Sequence, residues 1–419
     1  MHRSHCSPTL LDPGSSMTVL WEPSLDAEAA RWVRVAEQLS RDHFAPLAAE
    51  IDREQRYPWE SLQKLVESGL TGLLVPREYG GQGASLATGV AVMAELTRAC
   101  ASTGAIWAAY ALGASPILEF GTDEQKQFYL AEIRAGRACS FALTERGAGS
   151  DPAAIASTGT EEENGWRLRG EKIFIGNGGA SQHYVAFVVT DPELGARGIS
   201  AFMTSLDDPG TAVTKYADRM GLRGARTSNL QLDSHVPADR MIGERGRGLR
   251  IALSALNSGR VIIAAQGLGL ATAAFEHAAT EASRRRTFGR PIIENQAISF
   301  RLADVATQLS AARLLTWEAA QTGPDSPRTR NLASMAKLYA TEVAREAVDL
   351  AVQVYGGDGY CKPNPVERLY RDQRILAIYE GSSEIQRLSI GRAIHKAATA
   401  GELEPLEPAA TAYGHPAVK

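Results

Sequence analysis

The chain has 419 residues, is 44% hydrophobic and 22% charged, and carries a formal net charge of −4. A single hydrophobic core rarely extends past roughly 250–300 residues, so two or three are expected. No clustered Lys/Arg face points to nucleic acid, and no uninterrupted apolar run of about 18 residues points to a membrane span.

The opening stretch, MHRSHCSPTLLDPGSS, is polar and turn-rich and lacks the apolar segment of a secretory signal. It precedes Met17, a second candidate start. Residues 1–25 are expected to be an extension or disordered. Cys6, Cys100, Cys139 and Cys361 lie far apart with no C-x-x-C pair, so neither a metal site nor a disulfide framework is suggested. Reduced thiols in a cytoplasmic protein are the simplest reading.

Residues 26–136 read as an N-terminal helical domain. An apolar face runs through Ala30, Val33, Leu39 and Phe44, and Pro46 interrupts it. SLQKLVESGLTGLLVP predicts a helix stopped by Gly69. ATGVAVMAELTRACASTGAIWAAYAL is small and apolar on most sides and predicts one buried helix. Residues 137–245 change texture. Short alternating or β-branched segments (GWRLRGEKIFIGNGG, HYVAFVVT, GISAFMT) separated by Gly, Asn, Asp and Pro predict a compact antiparallel, barrel-like β domain. Residues 246–400 return to long helices. Ile298, Leu302, Val305, Leu309 and Ala312 recur at steps of three and four, as do Tyr339, Val343, Ala347, Leu350 and Val354. Such stripes predict a four-helix-bundle domain, with residues 321–330 as a connecting loop and 401–419 as a flexible tail. The fold class is α+β, mainly α. No G-x-G-x-x-G stands between a strand and a helix, so a Rossmann sheet is excluded as the organising element.

Five stretches can carry chemistry. FALTERGAGSD (141–151) ends a strand in a Gly-Ala-Gly-Ser turn, which is either a plain β-turn or a loop whose backbone approaches a ligand. KIFIGNGG (172–179) is either a hairpin with Asn-Gly turn chemistry or a place where Phe174 stacks on a planar ring. In RRRTFGRPIIENQ (284–296) the arginines either complement a helix dipole or clamp a phosphate. QVYGGDGYCKP (353–363) has three glycines in four positions, more than a helix cap needs. In IYEGSSEIQR (378–387), Ser382 is a plausible N-cap that puts Glu384 in the first turn. Glu380 lies before that helix, behind an apolar run. Burial there would raise its pKa and suit it to proton abstraction.

Taken together and in order, these stretches resemble the acyl-CoA dehydrogenase family over roughly residues 26–398. ALTERGAGSDPAA fits the family's first signature, QVYGGDGY with the downstream RLYRD fits the second, and IYEGSSEIQR is similar to its catalytic segment. The resemblance implies FAD held without a covalent bond between the β domain and the bundle, in a homodimer or homotetramer. It implies that Phe141, Leu143, Thr144 and Ser150 line the flavin and that Ser150 also touches the thioester ligand. It implies Phe174 at the ring, where the family usually has Trp, with Gly176 beside flavin N5. Arg285, Phe288 and Gln296 would reach FAD across a dimer, and Gln353, Gly356 and Gly357 would meet its adenosine or diphosphate part. Ser382 and Glu384 would contact FAD, while Arg260 and Gly381 would stand at the substrate. Glu380 would remove the α-proton of an acyl thioester as a hydride leaves the β-carbon for flavin N5.

Four positions depart from the family pattern. Gly259 stands where some members place the base, which leaves Glu380 as the candidate. Gly176 replaces a common Thr, which implies altered oxygen reactivity. Arg146 replaces a usual Pro and is either a solvated arginine or a contact to a carrier phosphate. Pro363 stands where an acid is usual and has no functional account. The thioester is acyl-CoA or an acyl-carrier-protein conjugate. The acceptor is electron-transferring flavoprotein, the family default, or oxygen in an acyl-CoA oxidase. From a different class, a catalytically idle flavoprotein scaffold is the remaining alternative.

Overall fold

The computed structural model describes residues 19–403, except 324, 325 and 327. The expectations for residues 1–18, including Cys6 and Met17, for residues 404–419, and for those three loop positions lie outside the described residues.

The N-terminal segment holds α1 (Ala27–Leu39), α2 (Ala45–Glu54), α3 (Trp59–Glu67), α4 (Leu86–Ala99), α5 (Ala101–Phe120) and α6 (Asp123–Arg134). Asp26 caps α1 by accepting the Ala29 N–H at 2.8 Å. The buried face of α1 is Ala29, Trp32 and Ala36, continued by Ser40 and Phe44. It is therefore rotated from the expected Ala30–Val33 stripe, because Trp32 carries the largest apolar surface and takes the core. Pro46 does not break the chain's course. A π-helical turn, Ser40–Phe44, leads into α2, and the proline sits in that helix's first turn, where its missing N–H costs nothing. Gly69 does end α3, at φ +82°. The predicted single buried helix is two, α4 and α5, broken at Cys100, whose backbone is extended. Residues 19–25 are not a loose extension. Leu20 is buried, the Trp21 N–H donates to the Ser310 hydroxyl, and the Arg313 guanidinium donates to the Trp21 carbonyl, both at 3.1 Å.

The middle segment holds β1 (Cys139–Ala142), β2 (Thr158–Glu162), β3 (Gly165–Gly176), β4 (His183–Val189), β5 (Ile199–Ser205), β6 (Thr211–Tyr216), β7 (Thr227–Pro237) and β8 (Met241–Ile242). The sheet order is β6-β7-β3-β2-β4-β5-β8, with β1 also on β4. It is mixed rather than antiparallel, since β1 and β4 pair in parallel from Cys139↔His183 to Ala142↔Ala186. Parallel pairing needs a long crossover, and β2 and β3 supply it. KIFIGNGG is not a hairpin, because β3 pairs with β2 and β7 instead of with the next strand. Its turn is tied to α5, where the Asn177 side chain donates to the Ile106 carbonyl at 3.1 Å.

The C-terminal segment begins with α7 (Gly248–Arg284), followed by the short β9 (Arg286–Thr287) and β10 (Arg290–Pro291). Then come α8 (Gln296–Gln321), α9 (Thr329–Tyr355), α10 (Gly357–Tyr360), α11 (Pro365–Gln373) and α12 (Ser383–Thr399). Helix α9 packs against α7, α8 and α12. Leu302, Val305, Leu309 and Ala312 are buried as predicted, as are Val343, Ala347, Leu350 and Val354, whereas Tyr339 is exposed. Among the described residues α7 alone is long and apolar enough to cross a membrane, and 89% of that stretch is buried inside the fold. It approaches α4 closely at Gly269, where a Cβ would stand 2.3 Å from the Ala94 carbonyl oxygen.

Three buried apolar clusters form the interior. One spans the N-terminal helices and the bundle, a second joins those helices to one face of the sheet, and a third lies within the β segment. The RLYRD motif ties the three segments together. Arg371 donates to both Asp52 oxygens in α2, at 2.8 and 2.6 Å, and to the Met220 carbonyl at 3.1 Å. Asp372 accepts the Leu222 N–H at 2.5 Å, and burial pushes its pKa up to about 6.

Candidate active site

The turn before α12 shows why Glu380 and Glu384 differ. Ser382 is the N-cap and accepts the Ile385 N–H at 3.4 Å. Glu384 is exposed in the first turn, and hydrogen bonds from its own backbone N–H and from Ser382 hold it below the usual carboxylate range. Glu380 and Gly381 both have left-handed backbone, at φ +55° and +88°. For glutamate this costs roughly 1–3 kcal/mol and persists only where neighbours enforce it. Gln386 Nε2 donates to the carbonyls of Glu380 (3.2 Å) and Gly381 (2.9 Å), and Lys337 Nζ donates to Gly381 at 2.8 Å.

The strained backbone aims the Glu380 side chain inward. Among the described residues its Oε2 is buried with no hydrogen-bond partner. Burial pushes the carboxyl pKa up to about 7, against the opposing pull of Arg260 and Lys337. Arg260, on α7, is buried and donates to Asn257 Oδ1 at 3.2 Å, while its Nε has no partner among the described residues. Gly259 adjoins the carboxylate so closely that a Cβ there would stand 2.9 Å from Glu380 Oε2.

Helix α5 supplies the floor. Leu112 Cδ1 lies 3.3 Å from the Cβ position at Gly259, and Ala109 Cβ lies 3.8 Å from that at Gly176. Residues three apart share one helix face, so one stripe of α5 runs from the carboxylate to the end of β3. Gly176 is held there by Ser140, whose hydroxyl donates to its carbonyl at 2.6 Å. Two residues earlier, Phe174 is 67% exposed with φ +58°, at an irregularity in the β3–β7 register. A bulky aromatic in left-handed backbone is a true outlier, and it presents a bare ring beside the site.

The loop 141–151 lies against the same strand. The Ile173 N–H donates to the Thr144 carbonyl at 2.8 Å. Beneath it, Glu145 takes Lys172 at 2.6 Å and the N–H groups of Ala156 (2.6 Å) and Ser157 (3.1 Å). Phe141 packs on Phe187 at 4.9 Å, and the Leu143 side chain is buried in the core beneath the loop. Ser150 and Arg146 are exposed, and the Cβ positions of Gly147 and Gly149 have no atom within 4 Å.

A further group forms around the end of α9. Arg285 donates to the Tyr355 carbonyl at 2.7 Å and lies 3.6 Å from the Cβ position of Gly356. Gln353 and Gly357 are exposed beside it. Phe288 is fully exposed at φ +50° in the β9–β10 turn, and Gln296 is exposed at the start of α8. The single chain brings Arg285 to Gly356 and leaves Phe288 and Gln296 uncovered.

These residues fit FAD. Phe174 and Phe288 offer bare faces to planar rings, Gly147, Gly149 and Gly357 leave backbone open to close approach, and Arg285 offers a guanidinium. Sequence reasoning missed Lys337, Gln386 and Gln266, whose side-chain oxygen accepts the Tyr379 hydroxyl. A signal existed for Lys337. It stands four residues after Ala333 and four before Thr341, on the buried stripe of α9.

Comparison with known proteins identifies the family. Models of the acyl-CoA dehydrogenase N-terminal, middle and C-terminal domains match residues 26–137, 140–235 and 246–395. The human mitochondrial short-chain specific acyl-CoA dehydrogenase is 42% identical, covering 85% of this chain and 88% of its own. The butyryl-CoA dehydrogenase of Megasphaera elsdenii superposes with a TM-score of 0.87 at 35% identity, over 90% of this chain and 100% of that one. A chain in the structure described as the electron transferring flavoprotein of Acidaminococcus fermentans gives 0.87 at 36% identity, over 89% and 99%. The chain belongs to the acyl-CoA dehydrogenase family, FAD-dependent oxidoreductases that act on CH–CH bonds.

Proposed function

We propose that the protein removes the α and β hydrogens of a short-chain acyl-CoA thioester, with Glu380 as the base. The observation that carries this is the Glu380 carboxylate, buried, unpartnered and with its pKa pushed up to about 7. A base poised near neutrality combines a usable ionised fraction with enough proton affinity to take an α-proton. Among the described residues no acceptor takes the Glu380 N–H, so it is free to polarise a thioester carbonyl. FAD, when bound, supplies the acceptor for the β-hydrogen and its electron pair. Arg260 sets the local field on the carboxylate, and the α5 stripe bounds the acyl side through Leu112. The short-chain assignment is supported by the names of the human and Megasphaera relatives. Electron-transferring flavoprotein as acceptor is supported by the Acidaminococcus structure. A second copy of the chain covering Phe288 and Gln296 is supported by their exposure.

The test is anaerobic titration of the purified protein with short-, medium- and long-chain acyl-CoA and with carrier-bound acyl groups, read as flavin bleaching. Short-chain acyl-CoA should bleach the flavin most readily, and Glu380→Gln should keep the flavin while slowing bleaching by about 10²–10⁴-fold. No bound flavin, or no bleaching by any thioester, sinks the proposal. Preference for the carrier-bound group would change the substrate. Stoichiometric hydrogen peroxide in air would make the enzyme an oxidase.

A further inference from the structure

Lys337 lies in the middle of α9 with its side chain fully buried among Ala333, Ala336 and Ala340. A position on this stripe calls for an apolar residue, and a buried ammonium there is costly unless something uses it. The ammonium has three N–H donors. Among the described residues its single hydrogen bond goes to the Gly381 carbonyl, at 2.8 Å. That carbonyl also receives Gln386, which holds the Glu380 carbonyl as well. Helices α9 and α12 thus grip both carbonyls of the left-handed pair that aims the Glu380 carboxylate.

The charges around this turn come from three helices. Glu342 on α9, Glu384 on α12 and Glu380 itself act on Lys337, with Arg260 on α7 opposing. Glu384 is exposed in the first turn of α12. Glu342 is engaged elsewhere, by Ser383 at 3.2 Å and Arg345 at 2.9 Å. Glu380 is the remaining carboxylate, and its buried Oε2 has no partner among the described residues. Of these groups, Glu380 acts on Lys337 most strongly.

We propose that Lys337 is a positioning residue for the Glu380 base: it locks the Glu380–Gly381 turn through the Gly381 carbonyl and so fixes a buried cation one residue along the backbone from the base. The inference rests on the proposed role of Glu380. Two consequences separate it from plain packing. Removing the cation raises the pH at which Glu380 ionises, because an opposite charge nearby favours the charged form. Removing the bond loosens the turn that leads into Ser382, while the residues on β3, in the loop 141–151 and at the end of α9 that are proposed to meet FAD lie on other elements.

The experiment compares the holoenzyme with Lys337→Met, an apolar side chain of similar length. Infrared difference titration follows the Glu380 carboxyl, identified as the band lost in Glu380→Gln. Flavin reduction by the best acyl-CoA is followed against pH in parallel. Lys337→Met should retain flavin and move the Glu380 midpoint, with the rising limb of the rate profile, upward by about one pH unit. Below that limb the rate should fall about tenfold. A midpoint at the parental pH, with or without a uniform loss of rate, overturns the proposal. If Lys337→Met does not retain flavin, Lys337→Gln decides by the same midpoint, since it keeps an N–H donor and lacks the charge. A parent enzyme that no thioester reduces would sink the proposed reaction, while the infrared midpoint would still report on Lys337 and Glu380.

Discussion

Lys172 in β3 and Lys337 in α9 are both fully buried, and burial pushes both ammonium groups down to about 8. Their surroundings differ. Lys172 donates to Glu145 at 2.6 Å, to the Phe187 carbonyl, and to the Leu143 carbonyl at 3.4 Å, so each of its donors has a protein acceptor. Among the described residues Lys337 has one, and the Oε2 of the nearby Glu380 has none. The saturated group is a strut that pins the loop 141–151 to the strand carrying Phe174. The unsaturated group belongs to a site. Completed polar networks hold structure, whereas unmatched buried polar atoms mark where a ligand is expected to complete the set.

The comparison breaks or holds first on stability. Lys172→Met strands the Glu145 carboxylate in the interior and should cost about 3–5 kcal/mol, read as a lowered unfolding midpoint. Lys337→Met removes a buried charge that has no direct ion-pair partner and should cost far less. Equal losses would erase the distinction. A second test acts on the site alone. Gly259→Ala puts a methyl 2.9 Å from Glu380 Oε2 and must displace the carboxylate. Flavin reduction should slow by up to about 10²-fold, with flavin content and unfolding midpoint unchanged. A parental rate would show that the carboxylate has slack the packing does not reveal. The smallest effect is expected at the far end of the α5 stripe. Gly176→Thr has room for its Cβ, with the nearest atom 3.8 Å away. Reoxidation of the reduced enzyme in air should slow by less than about tenfold, and an unchanged or faster reoxidation would remove Gly176 from the account of oxygen reactivity.

Much of the architecture was legible because it is written locally. The Ser382 cap, the stop at Gly69 and the α8 stripe depend on residues within a turn or two of each other. Three of the errors share one cause, which is that a long-range partner overrode a local preference. Trp32 rotated α1 toward the core, β4 claimed β1 in parallel, and Ile106 captured the Asn177 turn that looked like a hairpin. Leu143 shows a limit of the motif itself. The resemblance implied a place for it at the flavin, and the fold shows that its side chain lies in the core beneath the loop.

The sequence by itself determined which residues are available for chemistry: Glu380 outside any cap, glycine at 259 and 176, and aromatic residues at 174 and 288. It also determined the order of helical and β segments, since periodicity is a local property. The tertiary structure alone decided that the Glu380 Oε2 is buried and its backbone bent into the left-handed region, and that the carbonyl beside it is held by a lysine 44 residues away. It decided, too, that Arg371 and Asp52, 319 residues apart, fasten the segments around the site. Burial and desolvation arise from everything packed around a group, and so a carboxylate's readiness to take a proton is fixed only when the whole chain has closed over it.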